Sequence, residues 1–234
     1  MSANADETVV RRVVWSKTFR IVRSIFPAID LFEDIADPAD WEAIASAEAK
    51  LNPRVNLAIG ELSKVPIGRR VAGPGSSRVM APFVHCSPFR PSRFSDGSFG
   101  VYFAGDSEDV ALAETVHRHE RAMRATGEEP GWTSRFRALI GSIDARLHDV
   151  SGMAEVLHPE DYSAGQTIGA ALRRLGSDGI VHPSVRQQGG SCIAAFWPDV
   201  VPIPVQGSHF VYHWDGARVT FVKRLDTGQV FAVE

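Results

Sequence analysis

The sequence predicts a mixed α+β protein, built of many short strands with a few helices. Three observations carry this reading. An Asp215-Gly216 turn sits between two β-rich runs, the signal of a hairpin. Apolar residues recur at helical spacing behind Ser163 and behind Asp40. Residues 66–100 are rich in Pro, Gly and Ser, so short strands and turns are expected there in place of a helix.

In chain order, residues 1 to about 12 read as a loose end, and Val13 to Val22 is β-rich up to Pro27. Asp37-Pro-Ala-Asp40 starts a helix, with Asp37 at the N-cap and Pro38 at the first helical position. Trp41, Ile44, Ala45 and Ala49 then form one apolar face. Phe99 to Ala104 is a short buried strand. Asp106-Ser-Glu-Asp109 opens a helix to about Met123, its acids meeting the positive end of the dipole. Residues 135–143 are another strand. Ser163-Ala-Gly-Gln166 is a capping box, backed by Ile168, Ala171, Leu172 and Leu175 and closed by Gly176. Strands follow around 179–185 and 191–197, then the hairpin from His209 to Leu225 and a last strand in Gln229 to Glu234.

Composition sets the bounds. The 234 residues suffice for one large domain or a domain with an extension, and 44% hydrophobic against 23% charged residues is ordinary for a protein with a core. A formal charge of −3 gives no broad electrostatic grip on nucleic acid. No run approaches the roughly 20 apolar residues of a membrane span, and the N-terminus has acids before its basic pair and no apolar centre of a signal peptide. The two cysteines, Cys86 and Cys192, suit a reducing cytoplasm.

The most informative segment runs from Arg93-Phe-Ser-Asp-Gly through Val101-Tyr102 to Ala111-Leu-Ala-Glu114-Thr-Val-His117. On a helix Glu114 shares a face with Val110, Ala111 and His117. A carboxylate among small apolar neighbours is either functional or structurally bridged, and Arg93 reads equally as a surface guanidinium. Two Glu-x-x-His pairs, Glu114/His117 and Glu155/His158, raise a di-metal site. Such sites need long four-helix bundles, and this chain has too many strands and turns. Gly73-Pro-Gly-Ser-Ser and Gly189-Gly-Ser are too short for phosphate loops. Cys192 falls in an apolar strand pattern as a buried thiol.

This order of residues resembles the RES domain family. Phe19-Arg20-Ile-Val-Arg-Ser24 is similar to its first strand, Arg93-Phe before a Gly-containing turn to its second arginine, Val101-Tyr102 and Ala111-x-Ala-Glu114 to the strand and helix that follow, and Gly179-Ile-Val-His-Pro-Ser184 to its serine-bearing strand. The chain departs in Phe94-Ser95 where the family often has Trp-Asn, in His182 where a Tyr is common, and in an insertion of about 40 residues before Gly60.

The resemblance implies an ADP-ribosyltransferase-like fold of small mixed or antiparallel sheets with flanking helices and an NAD cleft between them. It implies residues 1–60 as an N-terminal helical and extended segment contributing to the core, and 61–234 as the RES domain. It also implies a toxin of a toxin–antitoxin pair that breaks the nicotinamide–ribose bond of NAD, its substrate, with no metal. The ADP-ribose would pass to a cellular protein or, alternatively, to water or phosphate in an NAD-depleting glycohydrolase or phosphorylase. The implied partner is an antitoxin with an Xre-like helix-turn-helix. Glu114, Arg93 and Ser184 would be catalytic, with Arg20, Arg93, Tyr102 and Ser184 binding NAD. These residue types suit that chemistry: guanidinium forks grip diphosphates, a carboxylate stabilises an oxocarbenium-like ribose, an aromatic ring stacks on nicotinamide, and a hydroxyl orients the ribose.

Overall fold

The computed structural model describes residues 8–25, 37–51 and 59–233, apart from the side chains of 48, 49 and 51. Its strands are β1 (Val9–Arg23), β2 (Tyr102–Gly105), β3 (Thr133–Asp149), β4 (Gly179–Pro183), β5 (Ser191–Ala195), β6 (Val205–Trp214), β7 (Val219–Arg224) and β8 (Val230–Ala232). Its helices are α1 (Trp41–Leu51), α2 (Ser77–Val84), α3 (Glu108–Thr126) and α4 (Ser163–Arg174). The α+β class stands. The small sheets expected from the sequence are parts of one hydrogen-bonded sheet in the order β1-β2-β5-β4-β3-β6-β7-β8, antiparallel except for β3–β4.

β1 also pairs with β3, so the five strands β1-β2-β5-β4-β3 close a circuit. Inside it lie Val13, Ile143, Leu147, Tyr102, Ala104, Ile193, Ala195 and Val181, and Val79, Met80 and Phe83 of α2 and Trp41 of α1 join the same cluster. A second cluster lies under α3, where Ala111, Leu112 and Val116 meet Ile21, Phe136, Ala138 and Phe210. A third lies between α4 and β4–β5, with Ile168 and Leu172 against Ile180, Ala194 and Phe196. The period-2 alternation of β2, β4 and β5 serves two of these at once: Tyr102, Val181 and Ile193 face inward, while Phe103, Ile180 and Ala194 face α4.

The β1–β3 ladder carries a register shift between Trp15 and Thr18. The extra residue turns β1 over relative to its ladder partner. Val13 and Trp15 thereby pair with Ala145 and Ile143 on the inner face, while Phe19 and Ile21 pair with Ile140 and Ala138 on the face under α3.

Three local expectations need correction. α2 lies within the stretch expected to lack a helix, and even contains Pro82. Val79, Met80, Phe83 and Val84 are all buried, and their burial outweighs the one hydrogen bond that proline forgoes. The Ser163 capping box does not form. Tyr162 is the N-cap and Ser163 is already helical, while the Gln166 amide donates to the Ser92 carbonyl at 3.0 Å. α1 starts at Trp41, because the Asp37 carboxylate accepts from the amide of Ala39 and makes a turn of 38–40. The Ala49 side chain lies outside those described. The Asp215-Gly216 hairpin is as expected, with four residues from Asp215 to Arg218 between the strands.

Two histidines are buried in this framework. His119 lies edge-on to Phe136 and Tyr212, and burial, reinforced by Arg23, holds its pKa down to about 4. Burial does the same to His182 despite its contact with the Pro183 carbonyl, again to about 4. An unfolded chain protonates these rings below about 6.5, whereas the folded chain resists until about 4. Stability should therefore fall as pH drops from 6.5 towards 4, by about 1–2 kcal/mol per ring at pH 5. Thermal melts should show a lower Tm at pH 5 than at pH 7, with a smaller difference in His119→Gln. An unchanged difference in that variant would assign the acid sensitivity elsewhere.

Candidate active site

Ser184 leaves the end of β4 beside the first half of α3. Its hydroxyl donates to Glu114 Oε1 at 2.7 Å and accepts from the backbone amides of Arg186 and Gln187 at 3.2 and 3.0 Å. The Ser184 amide donates to the Gly190 carbonyl at 2.9 Å, which closes the loop of 184–190. Two glycines let α3 come this close. A Cβ on Gly190 would stand 2.1 Å from Val110 Cγ2, and one on Gly105 would stand 2.7 Å from Val110 Cγ1. Ser107 caps α3, accepting from Val110 N, and Glu108 and Asp109 follow in the first turn. Helix and loop thus meet at fixed height, and Glu114 reaches Ser184.

Arg93 lies 7% exposed in the irregular segment below α4. Its Nη1 donates to the carbonyls of His158 at 2.6 Å and Val156 at 3.4 Å, and its guanidinium lies 4.6 Å over the Tyr162 ring. Arg121 of α3 lies 5.0 Å over the same ring. Burial pulls the pKa of Arg93 down, and the nearby Tyr162 and Glu114 oppose this. The segment is seated by two more glycines. A Cβ on Gly165 would stand 2.4 Å from the Arg93 carbonyl oxygen, and one on Gly169 would stand 2.1 Å from that of Phe94. Gln166, between them, holds the Ser92 carbonyl.

Cys192 pairs across the strands with Gly105 and His182, directly behind Ser184. Burial, then the charges of Glu114 and Asp106, push its pKa up, so it remains a thiol. Arg118 and Arg121 follow Glu114 on α3 by about 6 and 10 Å along the axis. Both are exposed, and among the described residues neither forms an ion pair with a carboxylate.

The structure therefore brings Glu114, Ser184 and Arg93 into one region. Arg20 and Tyr102 form a second pair. Tyr102 is fully buried, Arg20 lies 4.7 Å over its ring, and Arg20 Nη1 donates to the Phe103 carbonyl at 3.0 Å. That ring face is occupied by Arg20, so Tyr102 presents no open surface for stacking. Among the described residues, the Tyr102 hydroxyl and Arg20 Nε are buried with no hydrogen-bond partner. Phe94 and Phe103, stacked 6.2 Å apart, link the two groups. Tyr162 was not read from the sequence, nor was Gly165-x-x-x-Gly169, although small residues one helical turn apart were visible there as a close-packing signal. Glu114 Oε1, His117 Nε2 and His158 Nδ1 each engage a protein partner, and among the described residues no group of three or more His, Cys, Asp and Glu is placed to hold a metal. Among the described residues no helix is long and apolar enough to cross a membrane.

A family model described as the RES domain matches residues 68–215. The chain belongs to the RES domain family. The matched span includes Arg93, Tyr102, Glu114 and Ser184, and leaves β1 with Arg20 outside it. The chain is similar to an uncharacterized protein, y4oC, of Sinorhizobium fredii, 27% identical over 227 residues, covering 94% of this chain and 91% of that one. Among solved structures it is similar to a chain in the M. tuberculosis MbcT–MbcA toxin–antitoxin complex, with 12% identity, a TM-score of 0.42 and 86% and 85% of the two chains covered.

The seat of Arg93 in this RES domain can be tested directly. Alanine has a helix propensity up to about 1 kcal/mol better than glycine. The close approach at Gly169 should nevertheless make Gly169→Ala destabilising by about 1–3 kcal/mol in urea unfolding. Gly152→Ala, where a Cβ meets nothing within 4 Å, is the control. A Gly169→Ala protein as stable as the control would show that the helix yields at no cost.

Proposed function

We propose that this chain is a toxin that cleaves the nicotinamide–ribose bond of NAD and passes the ADP-ribose to a cellular protein. The observation that carries this reading is the Ser184–Glu114 hydrogen bond of 2.7 Å, with Arg93 close enough to act on the carboxylate electrostatically. RES family membership and the ordered match of Arg, Tyr, Glu and Ser support it.

In the proposed reaction the C1′–N bond of the nicotinamide riboside breaks, and its electron pair leaves with nicotinamide. Positive charge develops on the ribose, where the Glu114 carboxylate stabilises it. Ser184 uses its proton on one carboxylate oxygen, which orients the group and leaves the other oxygen for the ribose. The acceptor's nucleophile then bonds to C1′ and surrenders its proton to Glu114 or to solvent. Arg121 at Tyr162, with Arg118 beside it, offers an anionic diphosphate exposed guanidinium groups, and buried Arg93 adds its charge from beneath the Tyr162 ring. Arg20 would add to that surface from the edge, and Tyr102 supports Arg20 from behind. The family resemblance adds an antitoxin with a helix-turn-helix as partner.

Glu114→Gln keeps an oxygen to accept from Ser184, so the fold and NAD affinity should persist. Nicotinamide release should fall on the order of 10²-fold or more, because the charge matters mainly in the transition state. Unchanged release from a folded variant would remove Glu114 from the chemistry. Arg93→Lys keeps the charge but loses the planar fork, and should raise KM for NAD about tenfold. An unaltered KM would leave Arg93 a purely structural clamp. Labelled NAD incubated with lysate should mark a protein band; fast NAD loss with free ADP-ribose and no band would favour transfer to water or phosphate.

A further inference from the structure

Arg186 follows Ser184 by two residues, and its side chain ties three separate pieces together. Nη2 lies 2.8 Å from His117 Nε2 and 3.3 Å from Glu160 Oε1, and it also donates to the Pro159 carbonyl. A guanidinium can only donate. His117 Nε2 must therefore accept, which fixes a neutral ring with its proton on Nδ1. Burial, and next the charge of Arg186, hold the His117 pKa down to about 4, with Glu160 opposing and Arg121 and Arg124 assisting. The accepting form thus persists around neutral pH.

His117 lies one turn beyond Glu114 on α3, so these contacts close a ring. The Ser184 hydroxyl reaches Glu114, α3 leads to His117, His117 accepts from Arg186, and the Arg186 amide donates back to Ser184 Oγ. The same guanidinium holds Pro159 and Glu160, in the segment that gives Arg93 its His158 carbonyl and its Tyr162 ring face. Glu160 is 61% exposed, and exposed ion pairs contribute little. The His117 and Pro159 contacts therefore carry the constraint. All three contacts run from Nη2 alone, and a lysine, whose nitrogen stands one bond short of that position, cannot meet His117 and Pro159 together without displacing the loop.

We propose that Arg186, anchored on His117, is a positioning residue. It fixes the Ser184 hydroxyl on Glu114 and aligns the Arg93 segment with them. This rests on the NAD-cleaving reading above, and Arg186 itself bonds no substrate.

The test compares R186A, R186K, H117F, H117Q and R186A/H117F for nicotinamide release from NAD and for amide hydrogen exchange in the loop of 184–190. R186A, R186K and H117F should each lose kcat tenfold or more with KM for NAD changed less than about twofold. H117Q, whose side-chain oxygen can accept from Arg186, should restore most of the rate. The double variant should be no worse than either single one, since both cut the same ring. Loop amides should exchange faster in R186A and H117F than in wild type and H117Q. Should R186A fail to fold, H117Q against H117F decides. Equal rates in H117Q and H117F, additive losses, or a change in KM alone would overturn the proposal. If wild type releases no nicotinamide, the NAD reading fails by itself. The exchange data still judge the ring, and a loop equally protected in H117F and H117Q overturns it.

Discussion

The ladder between β1 and β3 runs almost the whole length of both strands, and the rest of the sheet extends from its two outer edges. One half of β3 takes β6 on its free edge, while its far end takes β4. β1 takes β2 at Phe19–Gly105. A regular ladder would commit each strand's apolar face to one core. The shift at Trp15–Thr18 splits the commitment, so the same strand pair supports the cluster inside the circuit and the one under α3. α3 carries Glu114, and Ser184 directly follows β4, so both elements are referenced to this ribbon.

Closeness of backbones is the second constraint. Helices normally pack at 8–10 Å between axes because side chains intervene. At Gly165 and Gly169 the missing Cβ removes that spacer against the backbone of Arg93 and Phe94, and at Gly105 and Gly190 it leaves room for the Val110 side chain. Each pair sets one partner of the site: the first brings α4 onto the Arg93 segment, and the second brings α3 to the Ser184 loop. Buried Arg93 meets its desolvation cost through the carbonyls of Val156 and His158 and the face of Tyr162. It is therefore a structural clamp as well as a charge near Glu114.

The hairpin at Asp215-Gly216 and the start of α3 were legible in the sequence because their signals are local, turn chemistry and acids at a helix start, whereas α3 runs on to Thr126, past the expected end near Met123. The joint position of Glu114 and Ser184 came from a resemblance in residue order, since no local pattern reports that positions 70 residues apart hydrogen-bond. α2 was hidden because Pro82 and the surrounding Gly and Ser argue against a helix, and only tertiary burial of Val79 and Phe83 answers them. Gln166 carried a helix-start signal but serves the Ser92 carbonyl instead, a partner that exists only after α4 docks. His117 was weighed as a chelator and as a neighbour of Glu114 on one helix face, not as a hydrogen-bond acceptor. Its partner Arg186 sits on a loop whose approach depends on the absent side chain of Gly190.

The partner that Glu114 lacks matters as much as the one it has. Among the described residues no guanidinium forms an ion pair with it, although Arg93 lies within electrostatic reach and Arg118 and Arg121 share its helix. A bidentate arginine would neutralise the carboxylate in the ground state and would have to be displaced before a ribosyl cation could be stabilised. A hydroxyl donor orients the carboxylate at far smaller electrostatic cost, because it brings no net charge. The guanidinium closest to Ser184 in sequence, that of Arg186, is instead spent on His117, Pro159 and Glu160. The arrangement keeps cationic charge around the rim, where an anionic nucleotide would need it, and leaves a negative charge at the one point where positive charge would develop.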